Sequence, residues 1–400
     1  MVPLTPNTPA TPAPDARVEL LARHLAAHPE PSWAEHNTAD QLAGVLRDAG
    51  LTPHPFTSLR MPDGSRPDFP GFIVDVGPGE PLIGLRADLD GLEHETPGGT
   101  VMAHSCGHDA NLAVVTETML RLAELGDRLG HGVRAIFQPA EERGNGAESV
   151  AALGVTDGLR GLLGVHLRPG TELRAPRFTP AISHGACLFA RGTVAGPDVH
   201  GARPHLGVNA VEVLAELTLA VAALRVDPQV PASAKLTQVS AGTENLNVIP
   251  GSASFGLDVR AQTNEAMALL RGGVERIVAS LAARYEIAIE VAFEDHVPAA
   301  VIGADAETLL ARSITAVAGA DALAPRSVTS GSDDFHCYTL RDPQLPAAML
   351  GIGADVTPGL HDPAMRYDHS RLGPAAAVLV EACLAAGELP ERAGLGGGRL

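Results

Sequence analysis

Apolar residues recur every three or four positions over Ala16 to His28 and again over Trp33 to Ala49, where Gly50 stops the pattern. That period predicts two amphipathic helices. Short apolar runs of strand length follow at Phe72 to Val76, Leu82 to Leu85, Val133 to Phe137 and Leu162 to Val165, and the longer stretch Asn111 to Leu125 reads as a helix. Alternation of strands and helices predicts an α/β layer, a central sheet flanked by helices. Polar residues with chemical potential fall just past the strand ends: Asp88 after one, Glu141 and Glu142 after another, His166 after a third. Open α/β sheets place their sites in the crevice at the carboxyl ends of the strands.

The texture changes near residue 181. From there the pattern reads strand (His184 to Val194), helix (Gly207 to Leu224), strand (Ala234 to Ala241), strand (Ala253 to Ala261), helix (Asn264 to Tyr285) and strand (Ile287 to Phe293). This β-α-β-β-α-β order predicts a ferredoxin-like α+β unit. After Pro298 the first texture resumes, with a helix over Ala304 to Val317, a strand over Ala347 to Gly351 and a helix over Gly373 to Ala386. The expected organisation is a catalytic domain of residues 15–180 and 298–392 interrupted by an inserted domain of residues 181–297. Residues 1–14, rich in Pro and Thr, and the glycine-rich residues 393–400 read as flexible tails.

Four hundred residues with 45% hydrophobic content suit two packed domains. A formal charge of −18 and only 3% aromatic residues argue against nucleic acid, which calls for a basic face and stacking rings. Cys106, Cys187, Cys337 and Cys383 are widely spaced with no disulfide-like pattern, so a cytoplasmic location is expected. The first residues lack a basic start and an apolar stretch of signal type. No apolar run reaches the ~20 residues of a membrane helix, so no membrane partner is expected.

Candidate chemistry lies in His104-Ser-Cys-Gly-His-Asp109, in Glu141-Glu142, in His166 and in His361. Thiolate, imidazole and carboxylate are the groups that hold zinc or manganese. Cys106 and His108 either turn to one point as ligands or belong to a tight turn with a buried Cys and a surface His. Asp109 or Asn111 is placed to cap the helix that follows. Two adjacent glutamates are solvated charge in most settings. Beside a cation, one serves as ligand and the other as proton carrier for hydrolysis. Asp88 and Asp90 alternate at a strand end and suit a supporting role that fixes a ligand imidazole. Ser330-Gly-Ser-Asp-Asp-Phe either caps a helix or lines the site floor. In the inserted domain His200, Asn247 and Arg260 either face solvent or donate hydrogen bonds to a substrate carbonyl or carboxylate.

Taken together, HPEPSWAE, GLRADLDGL, AHSCGHDAN, IFQPAEE, GVHLRPG, HGARPHLGVNA, NVIPGSASFGLDVRAQTNEA, SGSDDF and GLHDP strongly resemble the zinc metallopeptidase family of aminoacylases and carboxypeptidases. Within it they resemble the amidohydrolase branch of hippurate, N-acyl-amino-acid and auxin-conjugate hydrolases, with GVHLRPG, HGARPHLG and DVRAQTNEAM most like bacterial AmhX-type amidohydrolases. The motifs run in family order from about residue 28 to 370. The resemblance implies a metallopeptidase-type catalytic domain with a lid that often mediates dimerisation. It implies two divalent metal ions per subunit, zinc or manganese first, cobalt or nickel as alternatives, on Cys106, His108, Glu142, His166 and His361. It makes Glu141 the base, and His200, Asn247 and Arg260 the substrate contacts, with the lid His open to supply by a partner subunit. The expected reaction is metal-dependent hydrolysis of the amide bond in N-acyl amino acids or related conjugates. A dipeptidase or aminopeptidase of the same family is the alternative, followed by a non-catalytic binding relative. Two departures, Gly91-Leu-Glu-His94 where Ala-Leu-Pro is usual and Ser332-Asp-Asp-Phe335 for Ser-Glu-Asp-Phe, bear on substrate size and polarity.

Overall fold

The computed structural model describes residues 14–392; the proposed tails, apart from Pro14, lie outside the described residues. A seven-stranded mixed sheet orders its strands as His54–Pro55, Phe72–Val76, Gly132–Gln138, Pro81–Asp88, Gly161–Pro169, Ala347–Val356 and Phe178–Thr179. The four strands from Gly132–Gln138 to Ala347–Val356 run parallel, and the flanking pairs are antiparallel. Those four are buried almost throughout. Near-continuous apolar runs are what a parallel sheet covered on both faces requires. One face is covered by Pro14–Ala26, His108–Leu125, Ala304–Ala318 and Leu372–Leu384, which pack on one another and share the largest core. A second cluster built around Ile136, Leu162, Met349, Phe335 and Tyr338 fills another part of the interior.

A separate four-stranded antiparallel sheet orders Ala232–Ala241, Ala253–Ala261, Ala186–Ala195 and Ala288–Val297. In Ala186–Ala195 burial alternates from Leu188 onward, the signature of a sheet with one face packed and one wet. The packed face receives Ala210–Ala222 and Asn264–Tyr285, with a core of its own around Val213, Leu217, Leu257, Val259 and Leu270. Element order and strand order are those of a ferredoxin-like unit. A two-stranded ribbon, Val199–His200 with Val248–Ile249, stands apart from that sheet.

Several boundaries differ from expectation. The third long helix begins at His108, three residues before Asn111, and neither Asp109 nor Asn111 caps it. Gly107, in the left-handed region at φ 86°, occupies the N-cap, and no side-chain capping bond is made there. The Asp109 carboxylate instead accepts the Tyr367 hydroxyl at 2.7 Å, and Asn111 Nδ2 donates to Asp88 Oδ1 at 2.9 Å. The hairpin Leu92–Thr96 and Gly99–Ala103 was not expected from the sequence pattern, because its residues are mostly exposed and carry no clean apolar alternation. His369–Glu388 is, by length and composition alone, apolar enough to cross a membrane, contrary to the expectation of no such run; half of that stretch is buried. Its apolar character follows from packing as a core helix, since Leu372, Val378 and Leu379 belong to the main hydrophobic cluster.

Candidate metal centre

The loop after Gly99–Ala103 turns at Gly107, and a Cβ there would lie 2.8 Å from Leu167 Cδ1. Glycine therefore lets Cys106 and His108 flank a left-handed turn at the very start of a helix. His108 is fully buried, and its Nδ1 lies 2.9 Å from the Asp90 carbonyl. A carbonyl only accepts, so Nδ1 carries the proton and Nε2 presents a lone pair. His166, at the carboxyl end of Gly161–Pro169, repeats the arrangement: Nδ1 donates to the Leu167 carbonyl at 2.6 Å, and Nε2 lies 3.4 Å from Cys106 Sγ. His361 adopts φ 64° and is held by its own N–H donating to the Ser105 carbonyl at 2.7 Å; its Nε2 lies 3.3 Å from the same sulfur. Glu142 donates its N–H to Asp90 Oδ2 at 3.0 Å and brings Oε1 to 3.8 Å from both His108 Nε2 and His361 Nε2.

Cys106 Sγ is thus common to two groups, Cys106–His108–His166 and Cys106–Glu142–His361, whose ligand atoms lie within 4.8 Å of one another. His108 Nε2 and Glu142 Oε1 are buried and have no hydrogen-bond partner. Imidazole lone pairs, a thiol and a carboxylate converging with orphaned atoms fit a divalent transition-metal ion. Asp88 and Asp90 stand behind His108: Asp88 Oδ2 lies 3.3 Å from Nε2 and Asp90 Oδ1 3.3 Å from Nδ1. Asp88 already accepts from Arg86 at 2.9 Å and from Asn111, which favours a supporting place over direct ligation. Burial, reinforced by Glu142, raises the Cys106 thiol well above its usual range. Burial and neighbouring carboxylates likewise push Glu142 up to about 7 and Glu141 well above the carboxylate range. This concentration of buried acids is the environment a cation stabilises.

Glu141 is also buried, with Oε2 3.7 Å from His108 Nε2 and Oε1 accepting the Asp334 N–H at 3.4 Å. Behind it lies Arg86, fully buried in the sheet. Its guanidinium donates to Gln138 Oε1 at 2.9 Å, Asp88 Oδ2 at 2.9 Å and Asp334 Oδ1 at 2.5 Å, and lies 3.5 Å from Asp333. Against the cost of burial, Arg86 with His184 and His166 holds Asp333 below the usual carboxylate range. Asp333 both caps the turn Asp334–His336, accepting the Phe335 N–H at 2.8 Å, and lines the site, so the two readings of this motif coexist.

A cavity of about 660 Å³ opens onto these residues. Cys106, Glu141, Glu142, His166 and His361 form one wall, and Cys187, Phe189, Arg260 and Val297 of the inserted unit contribute another. Arg260 lies over the Phe189 ring at 5.3 Å, with Nε donating to Asp258. His200 and Asn247 do not line this cavity; they neighbour each other at the outlying ribbon, where Gly201 N–H donates to the Asn247 carbonyl at 2.7 Å. Sequence reasoning missed Arg86, Glu35, Arg168 and His184. The first three stand inside quoted motifs without carrying a ligand's signature. His184 had no signal, yet it is buried at the cavity wall with an unpartnered Nδ1.

Residues 84–385 match the model of the peptidase family M20/M25/M40. The chain belongs to that family. It is 30% identical over 376 residues to a probable hydrolase of Synechocystis, covering 89% of this chain and 92% of the relative. It is 27% identical over 373 residues to the N-acetyl-L-cysteine deacetylase of Bacillus subtilis, covering 90% and 86%. The fold matches a dinuclear metal-binding M20 peptidase of Bacillus subtilis with a TM-score of 0.75 at 23% identity, over 94% of this chain and 99% of that one. The chain is therefore an M20-family hydrolase, with a catalytic domain and a lid, and metal-dependent amide hydrolysis is consistent with its residues and relatives.

Proposed function

We propose that this hydrolase cleaves the amide bond of N-acyl amino acids or related amino-acid conjugates. The observation that carries the reading is the convergence of Cys106 Sγ, three imidazole Nε2 atoms and Glu142, with Glu141 beside them, on a cavity that also receives Arg260. Cys106, His108, Glu142, His166 and His361 would hold two divalent ions, zinc or manganese first, which when bound polarise the substrate carbonyl and acidify water. Glu141, buried at the cavity wall, takes a proton from the attacking water and delivers it to the departing amine. Arg260, whose Nε and Nη2 donate to Asp258, meets the amino-acid carboxylate through Nη1, in place of its long 3.5 Å bond to Ser332 Oγ. Asp90 and the Leu167 carbonyl keep His108 and His166 in the tautomer that presents Nε2.

His200 and Asn247 lie off the cavity of their own chain, which supports their supply by a second copy in a homodimer formed through the lid. Action on a small-molecule substrate in the cytoplasm belongs to the same proposal. A dipeptidase or aminopeptidase reading draws support from Asp333 and Glu172, two acids at the cavity that suit a substrate ammonium. The test is amine release from a panel of N-acyl amino acids set against the matching free dipeptides, using chelated protein with and without added zinc or manganese. Metal-restored cleavage of the acylated series is expected. Cleavage confined to free dipeptides would transfer the assignment to the peptidase reading.

A further inference from the structure

Glu30 and Glu35 hold places opposite to those their positions predict. Glu35 is the N-cap residue of the helix His36–Asp48, yet its side chain makes no capping bond. Glu30 caps that helix instead: its Oε2 accepts the Thr38 N–H at 2.7 Å and the Thr38 hydroxyl at 2.8 Å, and Oε1 accepts the Asn37 N–H at 3.3 Å. Glu35 turns inward and is completely buried. Its Oε1 accepts the Ala140 N–H at 2.7 Å, from a residue more than a hundred positions away, while Oε2 is buried without a partner. Burying a carboxyl is costly, and capping a surface helix does not require it.

Ala140 explains the arrangement. It sits at φ 55°, ψ 42°, the left-handed region, immediately before Glu141 and Glu142. An alanine disfavours that region by roughly tenfold relative to its ordinary conformations, so something must hold it there. The segment before Glu35 also reaches this loop through Asp90 and Gly91: Ser32 Oγ donates to Asp90 Oδ2 at 2.7 Å, the oxygen that also accepts the Glu142 N–H, and Gly91 N–H donates to the Glu30 carbonyl at 2.8 Å.

We propose that Glu35 is a positioning residue that locks Ala140 in its left-handed conformation and thereby aims Glu141 and Glu142 into the cavity. The inference rests on the reading of Glu141 as proton carrier and Glu142 as ligand. Its mechanism is mechanical. Without the 2.7 Å bond, Ala140 relaxes toward the conformations an alanine prefers, and the two side chains that follow swing away together. A misplacement of about 1 Å at a reacting group costs on the order of a hundredfold in rate.

The experiment compares full-length, metal-loaded Glu35→Ala, Glu35→Gln and Glu35→Asp with the wild type. It reads hydrogen exchange of the 139–143 segment, affinity for zinc by competition with a chromophoric chelator, and kcat and KM on the best panel substrate. Glu35→Ala is expected to speed exchange at 139–143 at least tenfold, weaken zinc and lower kcat ten- to a hundredfold with little change in KM. Glu35→Gln keeps an acceptor oxygen and should stay within about threefold of wild type. Glu35→Asp separates positioning from helix stability: aspartate is a strong N-cap, so the helix is kept, but one methylene less cannot reach Ala140. Loss of kcat and of exchange protection in Glu35→Asp, with the melting temperature kept, is the expected result even should Glu35→Ala not fold. Wild-type exchange and kcat in Glu35→Asp, or a Glu35→Gln as damaged as Glu35→Ala, would overturn the proposal. If the wild type cleaves nothing in the panel, the functional reading falls alone, because exchange and zinc affinity still decide the place of Glu35.

Discussion

Replacing Arg86 by methionine keeps length and apolar volume while removing the charge on which three buried carboxylates depend. In the native sheet its guanidinium reaches Asp88 at 2.9 Å and Asp334 at 2.5 Å, with Asp333 at 3.5 Å, and all four side chains are essentially inaccessible to solvent. The carboxylates keep some donors: Asn111 for Asp88, the Phe335 N–H for Asp333, and Gln138 Nε2 and the Ala147 N–H for Asp334. What disappears is the guanidinium shared by this trio, together with two charge-assisted bonds and one bond to Gln138. Removing one partner of a buried pair costs about 3–5 kcal/mol, because the remaining charge is left uncompensated. At about 2–4 °C per kcal/mol for a domain of this size, the melting temperature should fall by ~6–20 °C. Arg86→Lys retains a charge but cannot meet Asp88, Gln138 and Asp334 at once, so it should lie between. Calorimetry of both variants at neutral pH checks the reasoning. An Arg86→Met protein melting within a degree or two of wild type would show that the carboxylates take up protons or relax without cost, and the account would be wrong.

Glu141→Gln should bind zinc as the wild type does yet lose at least a hundredfold in kcat, since an amide cannot carry the proton; metal content by mass spectrometry and turnover on the best substrate check it, and retained turnover would remove Glu141 as base. Gly107→Ala places a Cβ 2.8 Å from Leu167 Cδ1 at φ +86°, a backbone strain of about 1–2 kcal/mol between two proposed ligands. Zinc affinity by chelator competition should drop about tenfold or more, and an unchanged affinity would show that the turn tolerates a side chain. His336 is buried, and burial depresses it to about 4, with Asp333 opposing and Arg86 assisting. Between pH 6.5 and 4 the unfolded chain therefore binds a proton that the folded chain does not, so stability falls as pH drops through that window. From pH 6.5 to 5 the wild type should lose about 2 kcal/mol more than His336→Gln, read from melting curves; parallel curves would refute the assignment.

The apolar runs located the five long strands of the central sheet, because a strand covered on both faces is mostly apolar; the order of strands within that sheet was not legible. The candidate ligands were legible only in combination: Cys106 with His108 reads equally as a tight turn, and Glu141 with Glu142 as solvated charge, until the other motifs stand beside them. The convergence of Cys106 with His361 was not readable from spacing, since 255 residues separate them and only the fold brings Sγ and Nε2 to 3.3 Å. Resemblance supplied that link. The capping expectation failed for a specific reason. A polar side chain near a helix start caps only if the backbone leaves it at the N-cap, and here Gly107 takes that place while Asn111 is recruited by Asp88.

The supports of the site were hidden for a different reason. Arg86 stands in an alternating run of charged and apolar residues, a pattern that reads as an edge with one wet face; only the strands on either side show that both faces are covered. Glu35 reads as an ordinary helix start, and its use on Ala140 depends on Glu30 taking over the cap. In each case the residue's place is set by what a distant segment leaves unsatisfied: a carboxylate without a cation, or a left-handed alanine without an acceptor. Such demands arise only once the chain has folded. A candidate ligand therefore shows itself by its residue type and motif, whereas the residue that holds it in place has to be found from the partner it satisfies.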